Sequence, residues 1–163
     1  MAAPVRLLVV CLGNICRSPM GEGVLRARIE ASPLRGRVLV DSAGTGDWHV
    51  GQPPDHRAIA TAARHGVDIG HLRARQFRRL DAETFDWLLC ADRDNLADVR
   101  ARIDPALHQR ATLLLEWSGV GEGDEVPDPY TGGTHEFEHS WSLLERAADG
   151  VVARLLASQG QWR

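Results

Sequence analysis

The sequence predicts an α/β domain, a mainly parallel sheet covered by helices on both faces, and three observations predict it. Four short apolar runs of strand length recur along the chain. Stretches of helical periodicity separate them, and such alternation implies right-handed βαβ crossovers. Between the first run and the first helix lies a turn, Cys11-Leu12-Gly13-Asn14-Ile15-Cys16-Arg17-Ser18, that carries a thiol, a glycine and an arginine.

The first run, residues 5–10, is almost continuously apolar, as a strand buried on both faces should be. The helix that follows, about 19–31, has Pro19 in its opening turn and stops at Ser32-Pro33. A second strand, 38–40, leads into Asp41-Ser42-Ala43-Gly44. The next helix, about 55–65, places Ala58, Ile59, Ala62 and Ala63 on one side and meets Gly66, a natural helix stop. A third strand, 86–91, is followed by a helix over 93–103 with Asp92 as its cap and Leu96, Val99 and Ile103 facing inward. The fourth strand is 111–115. In the last helix Phe137, Trp141, Leu144, Ala148, Val151 and Leu155 repeat at alternating steps of four and three, a single apolar seam. Gly150 interrupts it at a cost of about 1 kcal/mol relative to alanine.

Composition narrows the function classes. A chain of 163 residues suits one domain, 1–163, able to bury roughly 70% of the surface its unfolded form exposes. Charged residues at 25% and hydrophobic ones at 44% are ordinary for a globular protein, neither disordered nor membrane-spanning. The net charge of −3 argues against a nucleic-acid binder, which would carry a basic surface. The opening Met1-Ala2-Ala3-Pro4 has no secretory pattern, and no run approaches 18 apolar residues, so a cytoplasmic protein without membrane insertion is expected. Its three cysteines, Cys11, Cys16 and Cys90, are odd in number and lack metal-ligand spacing, which disfavours a disulfide framework or a zinc site. The oligomeric state is not legible.

The turn at 11–18 proposes a chemistry. A helix N-terminus presents unpaired backbone N–H groups and a positive dipole end to an anion, and the same field favours the thiolate of a cysteine placed there. Cysteine and arginine separated by five residues let a loop curl so that its amides face one point and the arginine returns to it. Gly13 permits a positive φ or a close approach, and the Arg17 guanidinium can grip two phosphate oxygens at once. Cys11 alone would be read as a small buried hydrophobe; with Gly13 and Arg17 it reads as a nucleophile in a phosphate cradle.

The run Val10-Cys11-Leu12-Gly13-Asn14-Ile15-Cys16-Arg17-Ser18-Pro19 resembles the active-site loop of the low-molecular-weight protein tyrosine phosphatases. The order of elements agrees over nearly the whole chain, with Asp41-Ser42-Ala43-Gly44-Thr45, Asp47-Trp48, Leu89-Cys90-Ala91-Asp92 and Asp128-Pro129-Tyr130 in family-like positions. The resemblance implies a four-stranded parallel sheet flanked by helices on both faces, the phosphatase loop between first strand and first helix, no cofactor and no metal. It implies phosphotyrosine-containing protein substrates, phosphate binding by Leu12, Gly13, Asn14, Ile15, Cys16, Arg17 and Ser18, and catalysis by Cys11, Arg17 and Asp128. In the family the side chain corresponding to Asn14 is tied to a serine and a histidine that match Ser42 and His71.

Phosphate-ester cleavage needs a proton for its leaving oxygen, and Asp128, stiffened between Pro127 and Pro129, is the candidate donor; alone it would be a turn aspartate bonding its own backbone. Ser18 can donate to the Cys11 sulfur or cap the helix. Asn14 is expected to have unusual backbone angles. Trp48 and Tyr130 are the aromatics expected at the rim, where a flat phenyl ring could slide between them. Cys16 could pair reversibly with Cys11 or simply pack beneath the loop. The run Arg73, Arg75, Arg78, Arg79 is a solvated face or a docking site for acidic phosphoproteins. Three rival functions remain: an arginine phosphatase, disfavoured because Ile15 stands where that branch of the fold has threonine; a thiol-dependent arsenate reductase, disfavoured because Cys90 has no second cysteine nearby for a relay; and a phosphate-binding module without turnover.

Overall fold

A computed structural model describes residues 3–120 and 123–158; Met1 and Ala2, read above for a leader, lie outside them. Four parallel strands, β1 (Val5–Cys11), β2 (Val38–Gly44), β3 (Trp87–Cys90) and β4 (Ala111–Leu113), form one sheet in the order β2-β1-β3-β4. The helices are α1 (Arg17–Glu30), α2 (His56–Arg64), α3 (Asp81–Thr84), α4 (Arg93–Arg102), α5 (Leu114–Ser118) and α6 (Thr134–Ser158), with a 3₁₀ segment at Pro105–Arg110.

Strand periodicity splits the interior in two. Leu7, Val9 and Cys11 of β1 face a larger core filled by α1, α2, α5 and α6, whereas Leu8 and Val10 face a second core with Leu88, Cys90, Val99 and Ile103. The α6 seam is as expected: all six of its apolar residues are buried. Among the described residues no helix is long and apolar enough to cross a membrane.

Several boundaries differ from expectation. The fourth strand ends at Leu113, and Leu114 opens a helix whose Leu114, Leu115 and Trp117 are buried; a short apolar run cannot distinguish strand from buried helix. On α2 it is Thr61 that is buried with Ala58 and Ala62, while Ala63 is exposed. The first helix begins at Arg17, two residues before the expected start at Pro19, with Cys16 as its N-cap.

Candidate active site

The sheet order changes direction between β1 and β3: from β1 the chain runs to β2 on one side and later returns to β3 on the other. Ligands of parallel α/β sheets sit at such a switch point, outside the carboxyl ends of the strands. Here β1 ends at Cys11 and β3 at Cys90, two residues before Asp92. A cleft of about 160 Å³ opens there, lined by Cys11, Leu12, Gly13, Ile15, Cys16, Arg17, Trp48, His49, Asp128 and Tyr130.

The loop between β1 and α1 is fixed by its carbonyls. Those of Cys11, Leu12, Ile15 and Cys16 accept from the amides of Thr45, Gly46, Asp55 and Met20 at 2.8–3.1 Å. No amide of residues 13–16 donates to another described atom, and the N-cap residue Cys16 makes no side-chain capping bond. The loop and the first turn of α1 therefore offer a set of free N–H donors beside the Cys11 sulfur, the arrangement that binds an anion. The left-handed residue is Asn14, φ 57°, not Gly13; asparagine tolerates that region better than most side chains. Gly13 instead allows a close approach, since a Cβ there would stand 3.1 Å from the His49 ring.

A buried polar chain ends at the Cys11 sulfur. Asn14 Nδ2 donates to Ser18 Oγ at 2.7 Å and to Ser42 Oγ at 3.0 Å, and Asn14 Oδ1 accepts from the Arg75 amide at 3.0 Å. Ser42 donates in turn to Glu22 Oε1 at 2.6 Å. With its lone pair occupied by Asn14, Ser18 has its hydroxyl hydrogen free for Cys11 Sγ, 2.9 Å away. The expected tie from Asn14 to His71 is absent among the described residues. The Asn14 oxygen meets the Arg75 amide instead, and His71 is exposed, reaching this chain only as a charge that acts on Glu22.

Arg17 is 3% exposed. Its Nη1 donates to Asp92 Oδ2 at 2.6 Å and to the Val126 carbonyl at 3.0 Å, which leaves the Nε and Nη2 donors without a hydrogen bond inside the described residues. Burial alone would lower the guanidinium pKa, but Cys11 and Asp92 outweigh it and the net direction is upward. Asp92 does two jobs: its Oδ1 caps α4 through the Asn95 amide and its Oδ2 holds Arg17. Only the cap was legible; that the residue follows a strand neighbouring β1 is the clue that pointed to the second. Asp128 faces the cleft with its side chain 46% exposed, Oδ2 lying 3.7 Å from Arg17 Nη2 and Oδ1 accepting from the Tyr130 amide at 3.1 Å.

At the mouth, Trp48 is 67% exposed and Tyr130 49%, while Ile15 lines the interior. His49 also lines the cleft, held by Gln52 at 2.9 Å; no pattern in the sequence marks it. Cys16 is buried below the loop, and burial first, then Asp55, Cys11 and Asp128, push its thiol pKa up. All three cysteines are free thiols. Cys90 is buried in the core on the opposite sheet face from Cys11, and burial drives its pKa up too, so it is a packed structural thiol. The arginine run is not one surface: Arg75 pairs with Asp41 and Asp81 against the sheet edge, and Arg73 bonds the carbonyls of Gly70 and Leu72.

Comparison with known proteins agrees with this geometry. The family model for low molecular weight phosphotyrosine protein phosphatase matches residues 6–160. A low molecular weight protein-tyrosine-phosphatase of Streptomyces coelicolor is 42% identical over 152 residues, covering 91% of this chain and 92% of the relative. Among solved structures, a protein tyrosine phosphatase from Entamoeba histolytica, with Hepes in its active site, superposes with a TM-score of 0.90 at 32% identity, covering 95% of this chain and 99% of that one. YfkJ from Bacillus subtilis also gives 0.90, at 31% identity and 97% and 98% coverage. The chain belongs to the low molecular weight phosphotyrosine protein phosphatase family and is an enzyme of that class.

Proposed function

We propose that the whole chain is one phosphatase domain that hydrolyses phosphotyrosine in protein substrates through a cysteinyl-phosphate intermediate. The observation that carries this reading is the convergence of Cys11, Arg17 and Asp128 on one cleft whose loop amides are unpaired. The Cys11 thiolate attacks phosphorus in line with the ester oxygen. As the S–P bond forms and the P–O bond breaks, Asp128 gives its proton to the departing phenolate. Water then attacks the phosphocysteine, losing a proton to the Asp128 carboxylate, and the S–P bond breaks to return the thiolate, received by the Ser18 hydroxyl. The amides of residues 12–18 and the free Nε and Nη2 donors of Arg17 hold the equatorial oxygens throughout, with most of their benefit realised as charge develops in the transition state.

Ile15 supports an aryl rather than a guanidino substrate, since its apolar side chain in the cleft offers a phosphoarginine no hydrogen-bond partner. The test is kinetic. Cys11→Ser should abolish turnover of p-nitrophenyl phosphate while leaving inorganic phosphate binding in place, and Asp128→Ala should reduce turnover of phosphotyrosine peptides by about 10²–10⁴-fold. Phosphate binding by the unmodified protein without turnover would leave only a binding module. Capture of phosphoarginine proteins by Cys11→Ser, in preference to phosphotyrosine proteins, would reassign the substrate.

A further inference from the structure

We infer that Arg57 is a positioning residue for the general acid: it straps the loop that carries Asp128 to the phosphate-binding loop. The inference rests on the assignment of Asp128 as acid and adds the group that sets where its carboxyl stands.

Arg57 lies in the first turn of α2, outside the cleft lining. Its Nε and Nη2 form a two-pronged pair with Asp55 Oδ1 and Oδ2, each at 3.0 Å. The remaining reach goes to the acid loop, with Nη2 donating to the Tyr130 carbonyl and Nη1 to the Gly132 carbonyl, both at 2.9 Å. The guanidinium also lies over the rings of Phe137 and Tyr130, 4.7 and 5.5 Å from their centroids. Asp55 is itself fastened to the phosphate loop, its amide donating to the Ile15 carbonyl at 2.8 Å. A continuous path therefore runs from Ile15 through Asp55 and Arg57 to Tyr130 and Gly132.

The strap closes the downstream side of the acid loop, which has no other hydrogen-bond tie to the phosphate loop among the described residues. Upstream of Asp128, the Val126 amide donates to Ala91, the Val126 carbonyl accepts from Arg17, and Ser140 donates to the Pro127 carbonyl. Downstream, Tyr130 and Gly132 are joined to each other's turn by the bonds Tyr130 amide to Asp128 Oδ1 and Gly132 amide to the Pro129 carbonyl. The turn that aims Asp128 is thus held towards the phosphate loop by the two carbonyls that Arg57 grips, and beyond them only to α6, where the Gly133 amide donates to Glu136 Oε1. Only a guanidinium can hold a carboxylate in a fork and reach two further carbonyls at once. A carboxyl misplaced by an ångström leaves the loop amides and Arg17 able to bind phosphate, yet it transfers its proton poorly.

The test compares kcat/KM for aryl phosphates from p-nitrophenyl phosphate, whose phenolate leaves readily, to phenyl phosphate, whose phenolate needs protonation. Arg57→Met keeps the apolar stem on Phe137 and removes the donors. It should lose about tenfold more activity on phenyl phosphate than on p-nitrophenyl phosphate, a fraction of the ~10²-fold that an ångström of misplacement can cost. Inhibition by inorganic phosphate should stay within about twofold, because Cys11 and Arg17 keep their contacts. Arg57→Lys, which can donate to one carbonyl, should fall between. An equal loss on every ester, or none, would overturn the inference. Asp128→Ala is run beside them: if it fails to steepen the same series, the acid assignment fails; if it steepens the series while Arg57→Met does not, the strap alone is refuted.

Discussion

At the scale of single residues, the site is organised by directional hydrogen bonding. Glu22 is a buried carboxylate at the far end of the chain that runs through Ser42, Asn14 and Ser18 to Cys11. Because it accepts from Ser42, the serine must present its oxygen to Asn14, and the Arg75 amide fixes the opposite face of that side chain. Burial raises the Glu22 pKa, against the lowering pull of the Ser42 bond and the Arg26 guanidinium 2.7 Å away, while Asp41 adds to the rise. An acid whose pKa is higher folded than unfolded favours the native state most below its ordinary value, and that advantage is lost as pH rises through the folded value. Glu22→Gln keeps an acceptor for Ser42 and has no proton to lose. The difference in Tm between Glu22→Gln and the parent should therefore shift in the variant's favour from about pH 4 toward neutrality; a difference that is flat or moves the other way would contradict this account. The candidate nucleophile, arginine and acid stand out in the sequence because each sits in a local pattern of spacing or proline. The polar chain does not: its members come from α1, β2 and the loop after α2, and nothing within a short stretch of sequence says that they meet. The expectation of His71 in it failed on position: His71 is exposed, and the Arg75 amide is the donor that Asn14 Oδ1 meets.

Elements were legible where their periodicity is long. The α6 seam of six residues fixed both the helix and its buried face, whereas the 3₁₀ segment Pro105–Arg110 and the short α3 and α5 have too few residues to show a period. Gly150 illustrates what only packing explains. As a mid-helix glycine it looks like a defect of about 1 kcal/mol, but a Cβ at that position would lie 2.3 Å from the Ser118 carbonyl oxygen at the end of α5. The glycine is what lets α5 and α6 touch. Forcing a methyl group into such a contact costs typically about 1–3 kcal/mol, more than helix propensity returns. Gly150→Ala should accordingly lower the urea midpoint with little change in m, a net loss of about 1–2 kcal/mol. A raised midpoint would mean that the helix–helix contact can relax and that the glycine has no packing role.

For the molecule as a whole, the sheet order sets the depth of the cleft, and under the proposed function that depth selects the substrate. With β1 and β3 adjacent and their crossovers departing to opposite sides, the loop after β1 lies at the floor between flanking segments that rise on either side. Cys11 is 3% exposed at that floor, while Trp48 and Tyr130 stand largely in solvent at the mouth. A phosphate must reach the floor while its peptide stays outside, which a phenyl spacer allows and the single methylene of serine does not. Chemistry adds to the discrimination: a phenol of pKa about 10 is a far better leaving group than an aliphatic alcohol. In peptides with identical flanks, phosphotyrosine should exceed phosphoserine by at least about 10² in kcat/KM, a ratio of the size that a pocket fitted to one side chain achieves. Shortening the rim offers a control on the cause. Trp48→Ala should erode the preference chiefly through KM for phosphotyrosine peptides, because the ring stands exposed at the mouth of the cleft whereas Cys11 is buried at its floor. Comparable rates for phosphotyrosine and phosphoserine in the parent protein would show that depth does not govern selection, whatever the fate of the rim variant.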